Sequence, residues 1–190
     1  MDMVALLLSA LALTSFGAAD TALIDLAKCH YVVTHPRTES MRPSLAFSAF
    51  TTCLDLVSEA RRQDVAPFFV LSMAYKESRW QYGRVGAAGE VGPLQILPNY
   101  WCPKGCSERQ ERVVHGVRAV KVMLKRAERK LKRSRLHRQS SRFQEFQEFL
   151  AACHFKGGNE CGSQANASAS LVGRRTVAFR GNWNQAQARP

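Results

Sequence analysis

Acidic residues are scarce in this chain: 15 Asp and Glu stand against 27 Lys and Arg, a formal net charge of +12 over 190 residues. A protein so depleted in carboxylates is drawn to polyanions, whether nucleic acid, anionic membranes or a cell wall carrying carboxylates and phosphates. Long apolar runs are also missing. The one candidate, residues 4–13 (Val-Ala-Leu-Leu-Leu-Ser-Ala-Leu-Ala-Leu), is too short to cross a bilayer as a stable helix. No Lys or Arg precedes it, only Met-Asp-Met, but Thr14 to Ala19 are, apart from Phe16, small residues of the kind signal peptidases accept. The segment therefore reads as a cleaved export signal, residues 1–19, with a short buried or membrane-associated helix as the alternative. Internal repeats and long linkers are absent, and strand patterning is thin. With 46% hydrophobic residues and an ordinary 22% charged, what remains is one globular, mostly helical domain rather than a disordered chain.

All six cysteines (Cys29, Cys53, Cys102, Cys106, Cys153, Cys161) lie beyond the proposed cut. Their even number suits disulfides and an oxidising compartment, and six allow fifteen pairings. Local closure favours Cys102 with Cys106 and Cys153 with Cys161, leaving Cys29 with Cys53. A zinc site from Cys102, Cys106, Cys153 and Cys161 is the rival, although those spacings lack the tight repeated pattern of zinc ligands.

Residues 34–44 read as a proline-bounded loop. A helix over 45–62 carries Leu45, Ala49, Cys53, Leu56 and Ala60 on one stripe. Asp64 can cap the next helix, with Pro67 in its first turn, and that helix is expected to reach about Trp80. Four glycines and two prolines make 83–98 an irregular loop. A long helix from about Ser107 to the middle 130s has Val113, Val117, Val120, Leu124, Ala127 and Leu131 on its buried stripe. Another takes in Phe143, Phe146, Leu150 and Cys153, and a last short apolar pattern runs from Leu171 to Phe179.

Glu77, in the stretch Tyr75 to Trp80, falls on the helical arc of Val70, Met73 and Trp80, which should face the core. Poor solvation there, and a place in the last turn where the helix dipole opposes negative charge, both favour a protonated acid. Glycosidic cleavage needs such an acid, because the leaving oxygen is too basic to depart unaided. An ion pair of Glu77 with Arg79, Arg84 or a basic-helix lysine, tying elements together, is the plainer alternative.

Twelve residues on comes Gly89-Glu90-Val91-Gly92-Pro93-Leu94-Gln95-Ile96-Leu97-Pro98. A helix ending in Glu-Ser, then a glycine loop with Gly-x-x-Gly-x-x-Gln and a proline, resembles the transglycosylase domain of soluble lytic transglycosylases. The resemblance covers about residues 45–180. It implies a lysozyme-like single domain of α+β class, predominantly α-helical, with 20–44 as an N-terminal extension and 181–190 as a tail. It puts the catalytic acid/base at Glu77 with Ser78 completing the pair, the loop glycines at Gly89 and Gly92, and a saccharide-contacting glutamine at Gln95. It further implies cleavage of the β-1,4 bond between N-acetylmuramic acid and N-acetylglucosamine, with a 1,6-anhydro product and neither cofactor nor metal.

A second carboxylate is absent from the motif except for Glu90. That residue is either the second acid of a lysozyme-type hydrolase or a cap on the backbone N–H groups of its own loop. The family's Tyr-Asn motif corresponds here to Cys153-His154-Phe155-Lys156-Gly157-Gly158. Phe155 replaces the tyrosine and Lys156 the asparagine, so the hydroxyl that would approach the catalytic carboxylate is missing. Phe155 can still wall the cleft, and His154 either touches substrate or is structural. This departure leaves a non-catalytic peptidoglycan-binding component of a virion or secretion machine as a further alternative.

From Arg109 to Arg142 there are thirteen Lys and Arg, with only Glu111 and Glu128 among them. That is partly a solvated helix face, but its one-sidedness suggests attraction to an anionic wall polymer or lipopolysaccharide. Nucleic acid is not the expected partner, because no aromatic residue interleaves the basic ones before Phe143. The expected location is periplasmic or extracellular, or in the virion if phage-encoded.

Overall fold

The computed structural model describes residue 29, residues 43–102, 104–132 and 141–157, and residues 169–170, 172–173 and 176–177. The expected export signal, the N-terminal extension save Cys29 and its last two residues, the tail and Cys161 lie outside them. Five helices follow one another: α1 (Pro43–Arg62), α2 (Pro67–Ser78), α3 (Pro98–Trp101), α4 (Arg109–Leu131) and α5 (Ser141–Gly157). Among the described residues extended structure is confined to two antiparallel bridges, Val85 with Val91 and Val91 with Ile96, so the domain is predominantly helical. None of the described helices is long and apolar enough to cross a membrane.

The first three helices each begin at a proline, where the missing N–H would have found no partner anyway. Asp64, expected to cap α2, does something else. It takes φ 56° in the turn after α1, its N–H bonded to the Arg61 carbonyl at 2.9 Å, and Ala66 occupies the cap position. Pro43 and Ser44, expected in a loop, already belong to α1. On the other side of the glycine loop, the backbone N–H of Glu108 is held by the Glu111 carboxylate at 3.2 Å as α4 starts.

Helix α1 packs against α2 and α4, and α4 against α5. The α1 stripe Ala49, Cys53, Leu56 and Ala60 is buried, as are Val113, Val117, Val120, Ala127 and Leu131 of α4, while Leu124 is half-buried. Helix α2 is buried nearly all round, Phe69 to Tyr75 without a break, so it forms the centre of the core rather than one amphipathic wall. Val172 and Thr176 from the last apolar pattern are buried, and Val172 joins the same core together with Ala169, which precedes that pattern.

Cys102 is bonded to Cys106, as local closure suggested, and Cys29 to Cys53, the pair left over. The Cys102–Cys106 pair takes both of its cysteines out of the rival zinc site, because a disulfide sulfur is no thiolate ligand. Cys153 is disulfide-bonded as well; its expected pairing with Cys161 lies outside the described residues.

Candidate functional site

Helix α2 stops abruptly, two residues earlier than its apolar pattern suggests. Arg79 and Trp80 take φ 54° and 62°, both left-handed, at a cost on the order of 1 kcal/mol each. Burial offsets that cost. The Trp80 ring is fully enclosed, meets the Tyr75 ring edge-on with centroids 4.9 Å apart, and donates its indole N–H to the Leu71 carbonyl at 2.9 Å. Trp80 thus reaches the core by reversing the chain, not by continuing the helix. The arc that seemed to carry Glu77 into the core therefore ends at Ser78, and Glu77 is half-buried in the last turn of α2.

Ser78 beside it is fully buried. Its hydroxyl donates to the Pro93 carbonyl at 2.7 Å and accepts the Gln81 N–H at 3.1 Å. This hydroxyl fastens the end of α2 to the glycine loop, a positioning role that leaves it no free face for a ligand.

The loop is a small closed structure of its own. Val91 and Ile96 exchange backbone hydrogen bonds at 2.9 and 3.1 Å, and the Gly86 N–H reaches the Glu90 carbonyl at 2.8 Å. Gly89 and Gly92 have φ 83° and 76°, conformations glycine takes without steric cost. At Gly92 a Cβ would also come within 2.8 Å of Arg112, so α4 depends on the bare backbone there. The Glu90 carboxylate accepts the Ala88 N–H at 2.9 Å and lies over Gly86, capping the loop as one of its two readings held. The Gln95 side chain donates to the carbonyls of Gly92 (2.8 Å) and Arg84 (3.0 Å). Among the described residues nothing donates to its own carbonyl oxygen, which leaves an acceptor on a half-buried side chain at the loop.

The structure thus joins Glu77, Ser78, Gly89, Glu90, Gly92 and Gln95 into one unit through the bond between Ser78 and Pro93. Phe155 comes from α5, half-buried against the core; the side chain of His154 lies outside the described residues.

Sequence reasoning missed the supports behind the loop. Leu94, fully buried, is wedged against Gly116 of α4, where an added Cβ would approach it to 2.9 Å. Arg112 donates to the carbonyls of Cys106 (2.9 Å) and Tyr82 (3.2 Å), tying α4 to both ends of the site segment. A glycine inside an otherwise regular helix is the one signal that could have exposed this contact.

A separate polar groove of about 380 Å³ lies between α1 and the start of α4 and contains none of the expected site residues. Its charged walls are Asp55, Glu59, Glu108 and Arg109. They are largely occupied. Tyr82 donates its hydroxyl to Asp55, while Arg109 covers the Tyr82 ring at 3.9 Å and bonds Thr51 at 2.7 Å. Burial, then the bond to Asp55, push the Tyr82 hydroxyl well above its usual range. Burial acts to raise the Glu59 carboxyl, but hydrogen bonds from Arg62 and Gln63 outweigh it and hold that group below the usual carboxylate range.

Compared with models of known protein families, with curated proteins and with solved structures, the chain matches none.

Proposed function

We propose that this chain is an exported peptidoglycan lytic transglycosylase with a lysozyme-like domain, acting through Glu77 alone as acid and base. One observation carries the reading: the buried Ser78 hydroxyl, 2.7 Å from the Pro93 carbonyl, clasps the helix end bearing Glu77 to the glycine loop bearing Gln95. A glycan laid along bare loop backbone meets a proton donor from the adjoining helix end, which is the arrangement acid-catalysed glycosidic cleavage needs.

In this mechanism the Glu77 carboxyl protonates the glycosidic oxygen of N-acetylglucosamine as its bond to C1 of N-acetylmuramic acid breaks. The resulting carboxylate takes the proton of the C6 hydroxyl of that muramic acid, and the C6 oxygen closes on C1. The products are a free 4-hydroxyl and a 1,6-anhydro ring, with Glu77 again protonated and no water consumed. Gln95 offers its carbonyl oxygen to a sugar hydroxyl or N-acetyl N–H. Glu90 supports this route over two-carboxylate hydrolysis, because its carboxylate is already engaged with the Ala88 N–H. A wall-gripping protein without catalysis is the second reading, favoured by Phe155 and Lys156 where the resembled family has tyrosine and asparagine.

The test is digestion of purified peptidoglycan by the full chain and by Glu77→Gln, with muropeptides weighed by mass spectrometry. Fragments one water lighter than lysozyme products, lost in the variant, are the expected result. Ordinary reducing ends would make the chain a hydrolase and direct attention to Glu90. Absence of any Glu77-dependent fragment, with wall binding intact, would leave the gripping protein.

A further inference from the structure

The outward face of α4 carries charge that the fold leaves mostly unpaired. Arg118, Val122, Lys125, Arg129 and Lys132, the residue after its last turn, recur at steps of four and three, and all are exposed. This face is opposite the stripe of Val113, Val117, Val120, Ala127 and Leu131 that α4 buries. From Arg118 to Lys132 it runs about 21 Å.

Carboxylates that might neutralise it are already committed, and only Glu128 meets the face, at its last residue Lys132. Glu111 holds the Glu108 N–H, Glu128 pairs with Lys132 at 3.5 Å, Asp55 and Glu59 are held on α1, and Glu148 of α5 accepts from Gln144 at 3.1 Å. Among the described residues Arg118, Lys125 and Arg129 take part in no ion pair. Three other cations of α4 differ: Arg109, Arg112 and Lys121 are bonded to Thr51, to the Cys106 and Tyr82 carbonyls, and to the Gln63 carbonyl respectively.

We propose that this straight cationic rail is a docking surface for a linear phosphodiester polymer of the cell envelope, a poly(alditol phosphate). Charge complementarity selects a polyanion, and a single straight helix face selects a linear one. Guanidinium groups at Arg118 and Arg129 match phosphate oxygens in fork geometry. A lipid surface fits less well, because Val122 is the one apolar residue on the face and the apolar side of α4 is spent on the core. Nucleic acid offers the same phosphate, but disulfides at Cys29–Cys53 and Cys102–Cys106 suit an oxidising compartment away from it. The inference rests on the proposed export to the cell wall but not on glycan cleavage, since it uses none of the residues around Glu77.

The experiment is titration of the full chain with purified poly(glycerol phosphate), followed by light scattering or calorimetry across a salt series. The paired substitution Lys125→Gln with Arg129→Gln is expected to weaken binding roughly tenfold at low salt and flatten its salt dependence. Removing equal charge elsewhere, with Arg61→Gln and Lys104→Gln, is expected to change it by less than about twofold. The charge-preserving pair Lys125→Arg with Arg129→Lys is expected to bind as the parent does, with circular dichroism confirming the fold of all three. Equal losses in both neutralised pairs would overturn the rail as the site. Tighter binding to duplex DNA or to anionic vesicles than to the polymer, or no polymer binding at all, would overturn the partner.

Discussion

At the scale of single residues, the consequential side chains are those that spend their polar atoms inside the protein. Ser78 is the clearest. Replacing it with Ala leaves the buried Pro93 carbonyl without its donor, and such an orphan costs about 1–3 kcal/mol. Urea denaturation should find that loss in Ser78→Ala and recover most of it in Ser78→Thr, which keeps the hydroxyl; an unaltered midpoint in Ser78→Ala would mean the clasp carries no weight. Tyr82 gives a prediction with a pH axis. Its hydroxyl is held protonated in the fold above the range it has in an unfolded chain, so its contribution is fully present below about pH 10 and is lost as pH rises from there toward the folded value. Tyr82→Phe is expected to cost about 1 kcal/mol near neutrality and to make melting midpoints less sensitive to pH between about pH 10 and 12. Parallel curves for parent and variant across that range would refute the coupling. Neither role shows in the sequence, because a serine beside an acid and a tyrosine in a turn give no sign of which distant carbonyl or carboxylate they meet.

At the scale of elements, periodicity revealed the buried stripes of α1 and α4 because each helix has one wet face. It misjudged α2 for the converse reason: a helix buried nearly all round has no arc to read, and its end was set by where Trp80 had to go. The glycine loop was legible as irregular, and its close fit to α4 was not. That fit rests on Leu94 against Gly116 and on Arg112 across Gly92. Gly116→Ala would ordinarily stabilise a helix interior by about 1 kcal/mol. Here the added methyl must displace Leu94, whose approach of 2.9 Å leaves no room, so a net loss of about 1–3 kcal/mol is expected. Differential scanning calorimetry decides the sign, and a rise in melting temperature would mean that the loop gives way at no cost. Under the proposed function the same variant should lower turnover on peptidoglycan, because the loop moves relative to Glu77.

At the scale of the whole molecule, covalent closure and packing share the work of holding a mostly helical chain together. The Cys29–Cys53 bond spans 24 residues and ties a segment ahead of α1 to the middle of that helix; Cys102–Cys106 spans only 4 and closes the turn between α3 and α4. If these bonds act mainly by restricting the unfolded chain, the longer closure contributes about 3.5 kcal/mol and the shorter about 2 kcal/mol. Local closure predicts the short pair and leaves the long one by elimination, and sequence separation also ranks the consequences. Cys29→Ser with Cys53→Ser should lower the denaturation free energy more than Cys102→Ser with Cys106→Ser does. The short bond has a different importance, since the carbonyl of Cys106 is one of the groups that Arg112 grips while backing the glycine loop. Its removal is therefore expected to perturb the proposed site, read as loss of activity on peptidoglycan, more than it perturbs global stability. Loss of the long bond should do the reverse. Guanidinium titrations beside activity measurements on both serine pairs resolve the two axes; a short-bond variant that keeps full activity would show that Arg112 holds the loop without the cross-link.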